Sequence, residues 1–424
     1  MDIDSCASAQ LKPYNQALEQ ILASVTPLTT FEYVNLENCI DRILSEDLLS
    51  QTSLPAWNCS AMDGYAINSE HFEIGQSFNI VGAAFAGHPY PGTVGKDQCI
   101  KIMTGASLPE NCDAVIMKEN VQINGDVDSD VDSDSDRNTI TINVATKQLQ
   151  NVRMAGSEIQ KGEVVLRKGL QINPIALGVI ATLGILEVPV YRKVKVSVFS
   201  TGDELVKPGK QLQVGQIYDS NRYSVTALCQ RLGCEVTDLG LIKDDQEAIK
   251  EMMLSASENA DMLITSGGVS VGEADYVKSL VEEIGHLDLW KVAIKPGKPI
   301  AVGSINNCAF FGLPGNPVSA MVTLNILVQP AIQKLSGMSA VNPIIIQAIC
   351  DSELKKKPGR KDYQRGLAYK DEHDNWHVSS TGAQGSAKLT SLSEGNCYIV
   401  LEQEKSDCSI GESVNIQLFD HAMI

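Results

Sequence analysis

The spacing of apolar and polar residues predicts a helical start followed by a region of short strands. The segments YNQALEQILASV and NLENCIDRILSEDLLS carry apolar residues at helical spacing, which in the second are Leu36, Ile40, Ile43 and Leu44. Both segments are therefore predicted to form amphipathic helices. From about 68 to 150, short apolar runs separated by turn residues predict a β-domain.

A different pattern begins near residue 194 and continues to about 334. The strand-like runs KVSVFSTG, EVTDLGLI and DMLITSGG alternate with helix-like runs, and DSNRYSVTALCQRLG begins with Asp219 or Ser220 as a candidate cap. This alternation predicts a βαβ series in a parallel, doubly wound sheet. The preceding run PIALGVIATLG predicts a helix that ends at Gly184. After 335, runs such as NPIIIQAIC, WHVSS and NCYIVLE predict a small β-domain.

The net charge and the cysteine pattern limit the kinds of partner and the cellular location that we expect. The chain has 424 residues, enough for several domains, and a net charge of −18. That charge argues against nucleic acid and an anionic membrane surface as main partners, but local basic patches still allow an anionic substrate. The 11 cysteines include no C-x-x-C pair, and the start of the chain has no signal-peptide pattern. We therefore expect reduced thiols, a cytoplasmic location and no membrane span.

An acidic, low-complexity segment, GDVDSDVDSDSDRN, occupies residues 125–138. It lies between two strand-like runs and is interpreted as a solvated hairpin loop. A calcium loop is the alternative, but no frame supplies both the glycine and the glutamate that such a loop needs. We expect this segment to be disordered and not catalytic.

Glycine-rich turns follow the strands of the predicted parallel sheet. They are STGDEL (200–205), TSGGVSVGEADY (265–276) and FFGLPGNPVSA (310–320). The carboxyl ends of parallel strands share one rim, where ligands bind, and glycines such as Gly267 and Gly268 let a ligand approach backbone N–H groups. Any one of these turns alone is typical of a tight βα connection. Together, with Ser270 beside them, they favour an anion-binding site.

The lysines of KVAIKPGKPIAVG suit an anion as well. Lys291, Lys295 and Lys298 stand in a segment whose prolines exclude a regular helix. Several lysines held on an irregular loop favour binding of an oxyanion or a polyphosphate. Ordinary surface lysines are the alternative interpretation.

Carboxylates near these turns suggest Mg²⁺, which binds a few carboxylates together with substrate phosphates. The candidates are Asp63, Glu204, Asp244, Glu273 and Asp275. Helix capping is the alternative; it is favoured for Asp203 and Asp245, whereas a functional role is favoured for Glu204 and Asp275. The six histidines show no zinc spacing, and P-loop, Rossmann and G-x-S-x-G motifs are absent from the sequence.

Ten motifs in order resemble one family, the molybdopterin molybdenumtransferases of bacterial molybdenum cofactor synthesis, and are similar to the C-terminal domain of gephyrin. They are NCSAMDGYAI, IKIMTGASLPENCDAVI, NVRMAGSEI, STGDELV, GQIYDSN, TSGGVSVGEADYVK, WKVAIKPGKPIAVG, FFGLPGNPVSA, GRKDYQRG and GNCYIVLE. They extend from about 55 to 402. The resemblance therefore covers most of the chain.

The resemblance implies a multi-domain α/β and β fold. The expected parts are an elongated discontinuous domain (1–50 plus 151–187), an inserted β-domain (51–150), a doubly wound α/β domain like molybdopterin adenylyltransferase (188–334) and a small C-terminal β-domain (335–424). It also implies a head-to-tail homodimer with the site at the subunit interface, and transient contact with the adenylyltransferase that supplies the substrate.

The implied reaction inserts molybdate into adenylylated molybdopterin and releases AMP in a Mg²⁺-dependent step. The acidic residues carried over are Asp63, Glu204, Asp244 and Asp275, of which the last three are the implied metal ligands. The implied substrate-binding residues are Thr104, Arg153, Gly267, Gly268, Ser270, Lys291, Lys295, Lys298, Pro299, Pro314, Pro317, Arg360 and Ser386. Glu273 has no implied role.

One departure concerns Glu158, which stands where the family usually has an aspartate, so the family role of that position is in doubt here. Two other functions are weighed against the enzyme. One is a cofactor-binding scaffold without turnover. The other is a nucleotide-processing enzyme that shares the α/β domain alone, against which the motifs of the second and last domains argue.

Overall fold

The computed structural model describes residues 11–70, 72–124, 138–243, 245–267, 276–340 and 342–423. The chain divides into two compact units. The first comprises Met1–Glu46, Lys168–Leu177 and Leu186–Ile424, and the second comprises Asp47–Arg167 and Gly178–Ile185. None of the described helices combines the length and apolarity needed to span a bilayer.

An α/β domain lies in the first unit. Its strands are β1 (Lys195–Thr201), β2 (Glu235–Ile242), β3 (Met262–Ser266), β4 (His286–Lys291), β5 (Pro299–Ile305) and β6 (Cys308–Leu313). Its helices are α1 (Asn221–Arg231), α2 (Gln246–Asn259), α3 (Tyr276–Ile284) and α4 (Pro317–Thr323). A short parallel pair, Leu205–Val206 with Ile217–Tyr218, follows β1.

The sheet has the strand order β2–β1–β3–β6–β5–β4. Neighbours among β2, β1, β3 and β6 are parallel, whereas β5 is antiparallel to both β6 and β4. The parallel sheet predicted from the βαβ series is present in β2, β1, β3 and β6. Strand β5 departs from it, because a tight hairpin after Ile305 reverses the chain into β6. Because β5 is antiparallel to both of its neighbours, β4 runs in the same direction as β1, β3 and β6. The carboxyl end of β4 therefore reaches the same rim as the carboxyl ends of those strands.

Helices cover both faces of this sheet, which confirms the doubly wound fold. Val225 of α1 packs in one core with Val198 of β1, and Ile249 of α2 packs in another with Phe199 of the same strand. Successive strand residues thus point to opposite cores. Because α1 and α3 lie on opposite faces, the sheet has its topological switch point between β1 and β3, where ligands bind in such folds.

The prediction of a second N-terminal helix is wrong. The first is confirmed as Tyr14–Ser24, but the second segment forms a strand end, a short turn of helix at Leu36–Asn38 and irregular chain. Its backbone pairs elsewhere: Leu44 N–H donates to Leu170 O at 3.0 Å, and Arg42 O accepts from Ile172 N–H at 2.9 Å. Tertiary pairing has overridden the helical spacing. The remaining elements of the first unit are strands Phe31–Asn35 and Glu187–Tyr191, which pair with each other, and helical segments Leu324–Val328 and Gln329–Leu335. The helix Pro174–Thr182 begins in the first unit and ends in the second.

The C-terminal part of the first unit confirms the predicted small β-domain, and its sheet closes into a barrel. Its strands are Ile294–Lys295, Ile345–Cys350, Lys361–Lys370, Trp376–Ser380, Cys397–Leu401 and Ser413–Leu418, with a short helix at Thr390–Ser393. Pairing of Lys361–Lys370 with Cys397–Leu401 closes the barrel. Ile294–Lys295 adds to its edge from the loop after β4 and sets Lys295 opposite Asp362.

One histidine in this barrel predicts a pH dependence of stability. His377 Nδ1 lies 2.8 Å from Asp351 Oδ1, and its Nε2 lies 3.4 Å from Asp371 Oδ2. The hydrogen bond to Asp351 raises the pKa of His377 above its ordinary value. A raised folded-state pKa gives stability that is complete below the unfolded pKa, about 6.5, and is lost as pH rises through the folded value.

We therefore expect the difference in melting temperature between wild type and His377→Gln to be larger at pH 5.5 than at pH 8.5. Thermal scans at both pH values measure this difference. His373→Gln, at an exposed histidine of the same barrel, provides the control variant. A difference that does not change with pH would contradict the prediction.

The second unit contains a separate six-stranded sheet. In sheet order its strands are Ala114–Met117, Gly64–Ile67, Gln98–Ile102, Ser77–Ala84, Thr139–Ile142 and Val121–Asn124. Shorter pairs join Cys59–Ser60 to Val152–Arg153 and Leu48–Leu49 to Val164–Leu166, and a turn of helix occupies Lys118–Asn120. The predicted β-region is thus built of short strands.

The two strands that flank the acidic segment pair antiparallel, with Asn124 opposite Thr139. This pairing agrees with the predicted hairpin. Residues 125–137, on which the expectation of disorder rests, lie outside the described residues.

Candidate active site

A cleft of about 1040 Å³ lies at the carboxyl ends of the α/β sheet strands. Its lining includes Thr201 at the end of β1, Ser266 and Gly267 at the end of β3, and Pro314 directly after β6. The strand register brings these ends side by side, since Ser266 is opposite both Ser200 of β1 and Leu313 of β6. The prediction that these turns share one rim is therefore confirmed. The cleft is also lined by Glu204, Tyr218, Asp219, Asn221, Lys295, Lys298, Pro299, Pro317, Arg360, Gln384 and Ser386.

The turn after β3 requires glycine. Gly267 has φ +95°, and a Cβ at this position would lie 3.0 Å from Thr201 O on the neighbouring strand end. A side chain would therefore be strained by its own backbone and would press on β1. Glycine therefore allows the end of β3 to lie this close to Thr201 of β1.

Asn221 joins two of the turns and was not among the predicted site residues. Its Nδ2 donates to Ser266 Oγ at 2.7 Å and to Gly315 O at 2.8 Å. The amide thus links α1, the end of β3 and the LPGNP turn, and positions all three around the cleft. Its motif, GQIYDSN, also contains Asp219, a candidate cap of α1, whose Oδ1 accepts from Arg222 N–H at 3.3 Å.

Two lysines enter the cleft from the loop after β4. Gly297, between them, has φ +106°, and a Cβ there would lie 2.3 Å from the buried Oγ1 of Thr323. This close packing on α4 fixes the loop. Lys295 Nζ lies 3.3 Å from Asp362 Oδ2, whereas Lys298 is half-buried and pairs with no carboxylate in the described part of the chain.

The barrel supplies Arg360 and the loop 384–387 to the same cleft. Val318 N–H of α4 donates to Ser386 O at 3.0 Å, which attaches this loop to the α/β domain. On the barrel side, the fully buried Arg365 donates to Gly385 O at 3.2 Å and to Ser391 Oγ at 3.0 Å. Ser386 is therefore held from both sides by hydrogen bonds to its loop.

The other predicted residues of the α/β domain lie elsewhere or outside the description. Lys291 ends β4 opposite Pro299 and is not among the residues that line the cleft. Asp244 and the segment 268–275 lie outside the described residues. That segment includes Gly268, Ser270, Glu273 and Asp275.

Asp63, Thr104 and Arg153 all lie in the second unit, where Asp63 and Thr104 are in direct contact. Thr104 donates to Asp63 Oδ1 through both its N–H and its Oγ1, each at 2.8 Å. These bonds lower the pKa of Asp63, so its carboxylate is ionised at neutral pH. Arg153 is exposed opposite Cys59, on the segment whose Asn151 O accepts from Ala61 N–H at 2.8 Å. Glu158 is exposed in the same unit.

Metal-ligating side chains do not form a cluster of three or more anywhere in the described residues. Of the three implied Mg²⁺ ligands, Glu204 is the one described; it is exposed at the cleft and forms no ion pair with a described cation. Asp245, interpreted as a cap, does cap α2, since its Oδ1 accepts from Ala248 N–H at 3.0 Å. The cysteines of the described ranges are buried and free.

Family comparisons match almost the whole chain. Residues 12–184 match the "MoeA N-terminal region (domain I and II)", 197–334 the "Probable molybdopterin binding domain" and 347–419 the "MoeA C-terminal region (domain IV)". A molybdopterin molybdenumtransferase of Haemophilus influenzae is 45% identical over 96% of this chain and 99% of its own length. Gephyrin of Dictyostelium discoideum is 32% identical over 96% of this chain, which spans 62% of gephyrin's length.

A solved structure supports the same assignment. The molybdopterin biosynthesis moeA protein of Pyrococcus horikoshii OT3 is similar with a TM-score of 0.82 at 27% identity, over 97% of this chain and 100% of that one. The sequence similarity to the Haemophilus influenzae enzyme extends over nearly the whole chain, and the fold agrees with that of the Pyrococcus horikoshii protein. The chain belongs to the molybdopterin molybdenumtransferase family, enzymes of molybdenum cofactor biosynthesis.

Proposed function

We propose that this chain inserts molybdate into adenylylated molybdopterin and releases AMP in a Mg²⁺-dependent step. The observation that carries the proposal is the cleft at the switch point, where three strand-end turns meet Lys298 and Arg360. Both substrates are anionic, and this chain has a net charge of −18. Cations held inside one cleft are therefore what allows two anions to approach each other.

The cleft offers different chemistry along its walls. Glycine and proline turns at Gly267 and Pro314 leave backbone accessible to a phosphate, and the amino end of α1 adds a positive dipole. Tyr218, which also lines the cleft, supplies an aromatic side chain. Arg360 and Ser386 come from the barrel, on the side proposed to receive molybdate. The cleft can thus hold a phosphorylated organic substrate and an oxyanion together.

Mg²⁺, when bound, would polarise the pyrophosphate that joins AMP to the pterin phosphate. Glu204 fits this role, because Mg²⁺ commonly uses one or two carboxylates with substrate phosphates. Asp244 and Asp275 stay predicted ligands. The groups of this chain that orient the reactants are Asn221, which positions the turns, and Lys295 and Lys298, which bind negative charge.

The test is a single-turnover assay. Purified protein given adenylylated molybdopterin, molybdate and Mg²⁺ is expected to release one AMP per site and to yield cofactor that activates an apo-molybdoenzyme. Omission of molybdate serves as the control for the coupling of AMP release to insertion. Tight binding of the substrate without AMP release would instead favour a cofactor-binding scaffold.

The assembly belongs to the same proposal. We expect a homodimer, a transient contact with the adenylyltransferase and a cytoplasmic location, all of which follow from the resemblance. Asp63, Thr104 and Arg153 are proposed to contact the substrates as part of such an assembly.

A further inference from the structure

A second pocket, of about 690 Å³, lies on the barrel and carries an excess of positive charge. Its charged lining consists of five basic side chains (Lys295, Lys355, Lys356, Lys357, Arg360) and two acidic ones (Asp362, Asp407). The surplus of three positive charges occurs in a chain whose net charge is −18. We call this site the basic pocket.

Both acidic residues of the basic pocket are already engaged. Asp407 accepts from Lys355 Nζ at 3.1 Å and from Lys356 N–H at 2.7 Å. Asp362 accepts from Lys295 Nζ at 3.3 Å and from Gln364 Nε2 at 3.2 Å. Among the described residues no ion pair joins Lys356, Lys357 or Arg360 to a carboxylate, although Asp362, Glu402 and Glu404 attract the charge of Lys356 from a greater distance.

Lys356 is the buried member of this group, with 5% of its surface exposed. Its Nζ donates to Lys405 O at 2.7 Å and to Gln403 O at 3.3 Å. An ammonium group has three donors, so one remains for a ligand. Burial lowers the pKa of Lys356, although Asp362, Glu404 and Glu402 act in the opposite direction. An anion at the remaining donor would add a hydrogen-bond partner of opposite charge to this buried ammonium group.

The lining also limits the chemistry of the ligand. Apart from the charged groups it contains Pro358 and Ser406, and no aromatic side chain from the described residues. A pterin or an adenine would find no ring to stack on, whereas a tetrahedral oxyanion needs only charged donors. Lys295 and Arg360 line both the basic pocket and the cleft, so an anion bound here is adjacent to the cleft.

We propose that the basic pocket is a capture site for molybdate, from which the oxyanion passes along Lys295 and Arg360 into the cleft. The identity of the oxyanion rests on the proposed function. Capture would raise the local molybdate concentration against the repulsion of an acidic protein. The pocket is thus expected to matter most when molybdate is scarce.

The first experiment measures binding without any pterin substrate. Calorimetric titration of the full chain with sodium molybdate is compared among wild type, Lys357→Gln and Lys370→Gln. Lys357 is exposed and lies in the pocket, whereas Lys370 is an exposed lysine of the same barrel that pairs with Asp374. Loss of one charged hydrogen bond should weaken molybdate binding about tenfold in Lys357→Gln, and Lys370→Gln should bind as wild type does. Equal affinities of all three proteins would overturn the proposal.

Two further experiments test which anion the pocket binds and whether the capture site and the proposed function stand or fail separately. Inorganic phosphate and AMP are titrated in the same way, and tighter binding of either at the pocket would overturn the assignment to molybdate.

In the AMP-release assay, Lys357→Gln should raise the molybdate concentration for half-maximal rate and leave the saturated rate unchanged. If AMP is released but that concentration does not change, the capture site fails and the proposed function stands. If no AMP is released but Lys357-dependent molybdate binding persists, the proposed function fails and the site stands.

Discussion

Lys298→Gln is expected to slow AMP release from adenylylated molybdopterin by about 10²- to 10³-fold, the usual cost of removing one charged donor from a preorganised site. Lys298 is half-buried at the cleft, on a loop fixed by Gly297, and no described carboxylate neutralises it. Glutamine keeps most of the length and polarity of the side chain. The loss should therefore report the charge.

Lys291→Gln is the matched control. Lys291 belongs to the same sequence motif and is also half-buried, but it lies in β4 and does not line the cleft. We expect a change in rate of less than about threefold, because Lys291 does not belong to the lining of the cleft. Quantification of AMP after a single turnover, with thermal scans to show that both variants fold, gives the comparison. Equal losses in the two variants would remove the special role of Lys298.

The difference between these two lysines shows where sequence patterns reach their limit. The alternation of strands and helices was enough to predict that the turns after β1, β3 and β6 share a rim, because parallel strands leave no other arrangement. It did not reveal the reversal of β5. Only the pairing of β4 with β5 shows that Lys291 ends a strand while Lys298 follows the turn.

Contacts between distant segments were the other part that the sequence could not supply. The hydrogen bonds of Asn221 join residues separated by 45 and 94 positions, and no periodicity encodes such a link. The same holds for the segment 35–50, whose apolar spacing suits a helix although its backbone pairs with 170–172. The domain-scale pattern was thus predictable, whereas tertiary pairing decided the irregular segments.

Arg222→Leu is expected to lower the free energy of unfolding by about 3 to 5 kcal/mol, because it leaves a buried carboxylate without its partner. Arg222 Nε donates to Asp219 Oδ2 at 2.8 Å, and the two side chains are only 4% and 1% exposed. Arg222 also pairs with Asp238. Burial alone would lower the pKa of Arg222. The hydrogen bonds to Asp219 and Asp238 outweigh burial and raise this pKa, so the guanidinium stays charged.

The wall of the cleft depends on this pair. Asp219 lines the cleft and accepts from Ser200 Oγ at 3.3 Å, so it connects α1 to the end of β1. A carboxylate left alone there would draw in water or a proton and would loosen the start of α1, which includes Asn221. We therefore expect Arg222→Leu to weaken substrate binding as well as stability.

Two further variants distinguish a charge effect from simple loss of packing. Asp219→Asn combined with Arg222→Leu removes both charges and should recover most of the stability, since a neutral amide costs far less to bury than an ion. Asp238→Asn removes the partner that is 40% exposed and should cost no more than about 1 kcal/mol. Urea midpoints and m-values measure all three. If the double variant is no more stable than Arg222→Leu alone, the buried charge is not the cause, and the packing of the Arg222 side chain against Tyr223 is the interaction to test next.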